Sequence, residues 1–305
     1  QGMVVIEEIL DRIARRLGLA PELVRERNLY HGKGATNTTH YGQAIGDNRI
    51  QTIWCQLRQS SDFARRRQAI SEWNAAHPHC KRGLAMTPVK FGISFTLTFL
   101  NQAGALVLVY QDGTAQVNHG GTEMGQGLHT NVTAIAAREL GIRREDVRVM
   151  PTSTDKIPNT SATAASVGTD MNGAAVKSAC ETLRARLAPV AARLLKPKLG
   201  RAPAPGQLFF ANGLVCDRRR PRTTVSFTEV VRQAYLERIG LSATGFYATP
   251  GIHWDRDAGR GKPFHYFACG AAVTEVEVDG FPGMMRVLRA ALLPDVGDSV
   301  NEGVN

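Results

Sequence analysis

A glycine-rich stretch at residues 118–130, NHGGTEMGQGLHT, carries the side chains and backbone best suited to binding a ligand. Gln126 stands between two glycines, and its amide can donate and accept hydrogen bonds at once. The glycines at 120, 121, 125 and 127 lack the Cβ atoms that would keep a ligand away from the backbone. The stretch therefore predicts a loop for an anionic or oxo-bearing ligand, although a tight connection without a ligand is the commoner use of such loops.

The elements on either side must position this loop. Asp112 and Gly113 form a turn signal between two β-favouring segments, so residues 106–117 are predicted as a hairpin. After the loop, apolar residues recur at helical spacing from Leu128 to Leu140, and Gly141 ends the pattern. Unpaired N–H groups at the start of this helix are expected to face the ligand.

A second stretch of small residues, TSATAASVGTD at residues 160–170, has a similar setting. It follows a predicted strand at residues 147–154 and precedes a long predicted helix at residues 170–195. Small side chains at a helix entry allow a bulky ligand to come close, and free N–H groups await an acceptor there. A helix packed tightly against a sheet is the alternative explanation.

Composition narrows the classes of protein. The chain has 305 residues, is 43% hydrophobic and 21% charged, and contains no apolar run near the roughly 20 residues of a membrane span. Its net charge of +10 comes from scattered clusters without interleaved aromatics, so neither nucleic acid nor a membrane is expected as a partner. Five cysteines without a C-x-x-C pair indicate reduced thiols in a cytoplasmic protein. The HPHC stretch at residues 77–80 has no further ligands at zinc-like spacing, so a metal site is not expected there.

Two strand–loop–helix passages followed by further strands predict an α+β fold, a mixed sheet with layered helices. Helical periodicity gives way to β-branched and aromatic residues near Lys81, so we place a domain boundary there. The predicted domains are therefore residues 1–80, which are mainly helical, and residues 81–305, which form the α+β domain. Residues 50–76 are predicted to be helical. Ser226, with Glu229 three residues later, predicts a capping box at the start of another helix.

Six segments occur in one order: KFGISFT (90–96), FLNQAGALVLVYQDG (99–113), HGGTEMGQGLHT (119–130), TSATAASVGTD (160–170), LSATGFYATP (241–250) and FHYFACGAAVTEVEVD (264–279). Together they closely resemble the molybdenum-cofactor subunit of the bacterial xanthine dehydrogenases, within the xanthine dehydrogenase and aldehyde oxidase family. The resemblance implies that residues 1–80 are the helical C-terminal part of a preceding cofactor-binding subdomain. It implies that residues 81–305 are the molybdenum-cofactor-binding domain, truncated at its C-terminal end.

The resemblance also implies cofactor-binding roles for residues of both small-residue stretches: Gln126, Ala164, Ala165, Ser166, Val167, Gly168 and Thr169. The glutamine would hydrogen-bond an oxo ligand of molybdenum, the two alanines would lie beside the metal and substrate, and residues 166–169 would hold the phosphate of molybdopterin. Phe95 and Thr96 would bind the purine, one by stacking and the other by a hydrogen bond. No side chain would ligate the metal, because the pterin holds it, although Gln126 and Ala165 would lie near it. Position 168 is serine in many relatives, so a hydroxyl contact to the phosphate would be missing here.

The implied reaction is the oxidation of hypoxanthine and xanthine to urate by metal-oxo attack and hydride transfer. FAD and 2Fe-2S clusters are expected on other domains or on an iron–sulfur/FAD subunit of an oligomeric enzyme. The family's glutamate base, in a G-x-G-E motif, and its FRGFGG segment have no match in the chain. We therefore expect no catalytic residue within it and no activity from the chain alone. An aldehyde or N-heterocycle hydroxylase of the same family and a non-catalytic structural or assembly domain are the alternatives.

Overall fold

The structure is a computed structural model that describes residues 1–295 and 297–300. It divides into two compact units. The first unit comprises residues 1–93 and 255–298, and the second comprises residues 94–254 with 299–300. All five cysteines are free thiols. Among the helices of the described residues, none has both the length and the apolar character needed to cross a bilayer.

Helices and strands combine into the α+β fold that the sequence predicts. The helices are α1 Gly2–Leu17, α2 Pro21–Arg27, α3 Ile50–Ser60, α4 Phe63–Ala76, α5 Leu128–Leu140, α6 Gly168–Leu199 and α7 Phe227–Leu236. The strands are β1 Cys80–Ile93, β2 Gln102–Val109, β3 Ala115–His119, β4 Val147–Val149, β5 Leu208–Ala211, β6 Leu214–Asp217, β7 Arg220–Ser226, β8 Ser242–Ala248, β9 His253–Asp255, β10 Arg260–Lys262, β11 Tyr266–Asp279 and β12 Met285–Asp295.

The first unit is an antiparallel sheet, in the order β1-β11-β12, packed against α3 and α4. Met86 and Val273 lie opposite each other on neighbouring strands and are buried with Trp54 of α3. The stretch at residues 50–76, predicted to be helical, forms two helices. Asp62 separates them with a left-handed backbone (φ 56°), a break that neither glycine nor proline marks in the sequence.

The first unit combines segments that are distant along the chain. The change from helices to strands falls at Cys80, close to the predicted boundary at Lys81. However, β1 pairs with β11 and not with a strand that follows it directly. The division into residues 1–80 and 81–305 as domains of different function stays a prediction.

The second unit is built on a four-stranded mixed sheet in the order β4-β3-β2-β8. The predicted hairpin is confirmed, since β2 and β3 pair antiparallel with Val107 opposite Val117. Both valines are fully buried. Helix α6 packs across β2 and β8, and α5 lies beside α6. A second antiparallel sheet, β5-β6-β7, precedes α7, whose predicted capping box at Ser226 and Glu229 is confirmed.

A β3-α5-β4 crossover positions the candidate loops. Strand β3 ends at His119, α5 follows the glycine-rich stretch, and β4 then pairs parallel with β3. Parallel neighbours present their carboxyl ends at one edge of a sheet, where ligands of open α/β sheets bind. The segment after β3 and the segment after β4 therefore leave the sheet side by side.

Helix α6 is longer than predicted and lies very close to β8. It extends four residues past the predicted end at Leu195, to Leu199, and continues through two prolines. A Cβ atom on Gly245 of β8 would lie 1.9 Å from the carbonyl oxygen of Ala175 and 2.6 Å from the amide nitrogen of Ala179. Only glycine permits this approach between the helix and the sheet.

We expect Gly245→Ala to lower the free energy of unfolding by about 1–3 kcal/mol or more, because the added methyl must push α6 away from β8. Gly206→Ala is the matched control, since an added Cβ there meets no atom within 4 Å. Urea unfolding of both variants measures the difference. Equal stability of the two would contradict the close packing of α6 on β8.

Candidate functional site

Two loops meet at the carboxyl edge of β3 and β4. We name residues 120–127 the glycine loop and residues 150–167 the alanine loop. The Thr122 N–H donates to Thr163 Oγ1 at 2.8 Å, and the Thr152 hydroxyl donates to the Gly121 carbonyl at 2.6 Å. Asn131 Nδ2 also donates to Thr169 Oγ1 at 3.2 Å, which joins α5 to the start of α6. The structure thus brings together the segments that hold Gln126 and the Ala164–Ala165 pair.

The first two glycines of the glycine loop serve the packing of the protein itself. An added Cβ at Gly120 would lie 2.0 Å from Thr160 Oγ1, and one at Gly121 would lie 2.5 Å from Leu128. Both positions were expected to open the backbone to a ligand, and instead they admit protein atoms. Gly125 and Gly127 have a different role, because they adopt left-handed conformations with φ of 97° and 77°.

A carboxylate of the same chain binds N–H groups at the N-terminus of α5. Glu123 Oε1 accepts the N–H groups of Gly125 and Gly127 at 2.9 and 3.1 Å, and Oε2 accepts that of His129 at 2.9 Å. These backbone bonds, that of His129 first, lower the pKa of the Glu123 carboxyl below its ordinary value. The prediction that the N–H groups at the start of α5 are unpaired is therefore wrong for Gly127 and His129.

Gln126 lies on the exposed part of the glycine loop with its side chain folded onto the loop backbone. Its Oε1 accepts the Met124 N–H at 2.6 Å, and its Nε2 donates to the Thr122 carbonyl at 2.9 Å. A side-chain amide nitrogen carries two hydrogens, so one donor of Nε2 remains for a ligand. Gln126 can therefore hold the loop and bind a ligand oxygen at the same time.

The alanine loop leads into the N-terminus of α6. Ala165 and Ser166 both adopt left-handed conformations, with φ of 54° and 56°, just before the buried residue Val167 at the N-cap of α6. The side chain of the N-cap residue Val167 makes no capping hydrogen bond, and the acidic residue Asp170 lies in the first turn of α6. Ala164 and Ser166 are exposed, while Gly168 and Thr169 are half-buried in the first turn. The backbone N–H groups at the start of α6 are therefore candidate donors to an anion, although the carboxylate of Asp170 lies in the same turn.

Four buried polar atoms beside the two loops have no hydrogen-bond partner among the described residues: His119 Nε2, His129 Nε2, Thr160 Oγ1 and Asn172 Oδ1. Thr160 packs on Gly120 and Asn172 packs on Gly121. Buried polar atoms in native proteins are nearly always paired, so these four indicate a polar group or water at the site. Sequence reasoning missed all four, because no motif or regular spacing in the sequence connects these residues.

The site is compatible with a metal that a cofactor holds by its own atoms. The described residues contain no cluster of three or more His, Cys, Asp or Glu side chains suited to a metal ion. They provide instead hydrogen-bond donors and acceptors around two loops and the N-terminus of α6. This is the set of groups that a polar, anionic cofactor requires from its protein.

His119 is the most buried ionisable group of the site, with 2% of its surface exposed. The Gly121 N–H donates to its Nδ1 at 3.1 Å, so the proton of the neutral ring lies on Nε2. Its ring meets that of His129 edge-on, with centroids 5.2 Å apart. Burial lowers the pKa of His119 from 6.5 to about 4, and the neighbouring His129 contributes to this shift. His119 is therefore neutral in the folded protein at neutral pH.

Phe95 and Thr96 lie between β1 and β2, with Phe95 half-buried and Thr96 exposed. Asn101, which is 3% exposed, fixes their backbone. Its Oδ1 accepts the Phe95 N–H at 2.8 Å, and its Nδ2 donates to the carbonyls of Phe95, Leu97 and Thr98 at 2.9, 3.3 and 3.3 Å. No hydrogen bond in the described residues joins Phe95 or Thr96 to either loop. Sequence reasoning missed Asn101, since one asparagine before a strand is a weak signal.

The fold and the paired loops define a cofactor-binding domain of the α+β class. Residues 56–304 match the family model of the molybdopterin cofactor-binding domain, and the chain belongs to that family. It is 41% identical over 305 residues to the xanthine dehydrogenase/oxidase of Gallus gallus and 41% identical to the xanthine dehydrogenase of Oryza sativa subsp. japonica. Each match covers 100% of this chain and 20% of the relative, so the chain spans about a fifth of their length.

A solved structure shares the fold over nearly the whole chain. Quinoline 2-oxidoreductase from Pseudomonas putida 86 superposes with a TM-score of 0.81 at 24% sequence identity. The match covers 98% of this chain and 37% of that one. The α+β architecture predicted from the sequence is therefore shared with this structure, and the family model identifies it as a molybdopterin cofactor-binding domain.

We expect Asn101→Ala to lower the free energy of unfolding by about 1–3 kcal/mol, because it leaves the Phe95 N–H and several carbonyls without their buried partner. Gln233→Ala on α7, which loses a single bond to Glu237, is the control. Urea unfolding gives the stability, and amide hydrogen exchange at Phe95 gives the local effect. Unchanged exchange at Phe95 would show that Asn101 does not hold this segment.

We expect acid to destabilise the protein through His119. Its pKa is lowered in the folded state, so between pH 6.5 and about 4 the unfolded chain binds a proton that the folded chain does not. Stability is then lost as the pH falls, by about 2 kcal/mol between pH 7 and pH 5. His119→Asn removes this contribution, and urea unfolding at both pH values should show a smaller difference. The same pH dependence in the variant would exclude His119 as its source.

Proposed function

We propose that this chain forms one side of the molybdopterin site of a molybdenum hydroxylase that oxidises hypoxanthine and xanthine to urate. The observation that carries the proposal is the meeting of two small-residue loops beside four unpaired buried polar atoms. The identity of 41% to two xanthine dehydrogenases supports the choice of purine substrates. Because the chain spans about a fifth of the length of those relatives, other segments would form the rest of such an enzyme.

The residues of the two loops divide the binding of the cofactor between them. Residues 166–169, at the N-terminus of α6, would hold the phosphate through backbone N–H groups and the hydroxyls of Ser166 and Thr169. Gln126 would donate its remaining Nε2 hydrogen to an oxygen on the metal. The methyl side chains of Ala164 and Ala165 would leave room for the metal and the substrate ring. When bound, the cofactor supplies the redox chemistry, and these residues supply binding and orientation.

Phe95 and Thr96 would bind the purine on the segment that Asn101 holds in place. The half-buried Phe95 ring would stack on the flat heterocycle, and the exposed Thr96 hydroxyl would hydrogen-bond its edge. FAD and 2Fe-2S clusters would lie on other domains or on an iron–sulfur/FAD subunit of an oligomeric, cytoplasmic enzyme. Residues 1–80 would be the C-terminal part of a preceding cofactor-binding subdomain, and residues 81–305 would belong to the molybdenum domain.

We expect Gln126→Ala, made in the full-length protein that contains this chain, to lower molybdenum content or hypoxanthine turnover by about 10–100-fold, the usual effect of removing a group that supports a metal site. Gln116→Ala is the matched control, because Gln116 lies on β3 outside both loops. Elemental analysis, pterin fluorescence and a hypoxanthine assay measure the effect.

Two other results would redirect the proposal. If Gln126→Ala has the molybdenum content and turnover of the unaltered protein, the chain is a non-catalytic structural or assembly domain. If the protein contains molybdenum but oxidises aldehydes or other N-heterocycles in place of hypoxanthine, the purine assignment of Phe95 and Thr96 fails.

A further inference from the structure

Glu123 has an unusual role for an exposed glutamate, because its carboxylate binds three backbone N–H groups of its own loop. Those donors belong to Gly125, Gly127 and His129, which lie two, four and six residues farther along the chain. Holding a glutamate in one conformation costs up to about 2 kcal/mol of side-chain entropy. Bonds from backbone N–H groups to a charged acceptor are among the stronger hydrogen bonds and offset that cost.

The bonds of Glu123 fix the backbone on both sides of Gln126. Gly125 and Gly127 adopt left-handed conformations, and both donate to the same carboxylate oxygen. Gln126 lies between these two anchored glycines, and its amide turns back onto Met124 and Thr122. The direction of the remaining Nε2 hydrogen of Gln126 therefore depends on Glu123.

Glu123 also makes the two helix termini of the site unequal. At α5 its negative charge occupies the N–H groups that an incoming anion would need. At α6 the N-cap residue Val167 makes no capping hydrogen bond, and the preceding Ala165 and Ser166 hold left-handed conformations. The negative charge of Glu123 would repel an anionic ligand from the start of α5.

We propose that Glu123 is a positioning residue of the cofactor site, which orients Gln126 toward the ligand and keeps the anionic group of the cofactor away from the N-terminus of α5. The proposal rests on the proposed function for the identity of the ligand. Its structural part, the hold of Glu123 on residues 125–129, stands on the hydrogen bonds alone. Glu123 does not touch the reacting atoms and acts through Gln126.

The test uses Glu123→Ala and Glu123→Gln in the full-length protein. Alanine removes every acceptor, whereas glutamine keeps one oxygen that can still bind Gly125 and Gly127. Glu145→Gln is the control, since Glu145 is exposed in the same unit and its partner Arg143 keeps a second bond to Asp146. The readouts are hydrogen exchange of peptides that cover residues 120–130, and molybdenum and pterin per folded chain.

We expect Glu123→Ala to speed amide exchange at residues 125, 127 and 129 by about 10-fold or more and to lower molybdenum per folded chain by about 10–100-fold. Glu123→Gln should be intermediate, with its largest change in exchange at residue 129, and Glu145→Gln should match the unaltered protein. A helix cap with a purely structural role would lower stability without changing molybdenum per folded chain. That result, or unchanged exchange in Glu123→Ala, would overturn the proposal.

The same experiment separates this inference from the proposed function. If the unaltered protein contains neither molybdenum nor pterin, the proposed function fails and Glu123 has no cofactor to position. If the unaltered protein contains both and Glu123→Ala contains as much, only the role of Glu123 fails.

Discussion

The parallel pairing of β3 with β4 is the constraint on which the site depends. Only three residue pairs join the two strands, from Ala115 opposite Val147 to Val117 opposite Val149. They are sufficient because α5, which connects the strands, buries Leu128, Val132 and Leu140 completely within the second unit. A shift of β4 by one residue against β3 would turn the buried Val147 to the opposite face of the sheet, because β2 holds β3 in place. The register of this short pairing therefore fixes where both loops leave the sheet.

Within that frame, the two helix termini of the site differ. The carboxylate of Glu123 binds the N–H groups of Gly127 and His129 at the start of α5, while the N-cap residue of α6, Val167, makes no capping hydrogen bond. The buried atoms His119 Nε2 and Asn172 Oδ1 lie unpaired beside the same loops. Rigid packing and unsatisfied polar groups thus occur side by side. Such a combination is typical of a preformed binding site, in which the protein holds its groups in place before the ligand arrives.

The sequence was sufficient to predict the local elements near the site. Asp112-Gly113 predicted the hairpin, Ser226 with Glu229 predicted a capping box, and the two small-residue stretches predicted two loops before helices. These features depend on short-range chemistry that a few adjacent residues determine. The family resemblance added the pairing of the two loops, which local patterns could not supply.

Other features required the folded chain. The bonds of Glu123 span only six residues, but the sequence does not tell whether the α5 N–H groups bind a ligand or a side chain of the loop. The glycines at 120 and 121 were expected to face a ligand, and only the position of Thr160 and Leu128 shows that they face the protein. Likewise, Asp62 breaks a helix without a glycine or proline, through a left-handed backbone that its residue type does not predict. In each of these cases the arrangement of the folded chain decides the outcome, and no local sequence pattern does.

The central claim is that the glycine loop and the alanine loop bind one molybdopterin between them. Anomalous X-ray diffraction at the molybdenum absorption edge, from crystals of the full-length protein, tests it most directly. A single anomalous peak beside Gln126 and Ala165, with electron density for a phosphate at the N-terminus of α6, is the predicted result. A molybdenum peak remote from both loops, or a phosphate bound at the N-terminus of α5 in place of Glu123, would contradict the account.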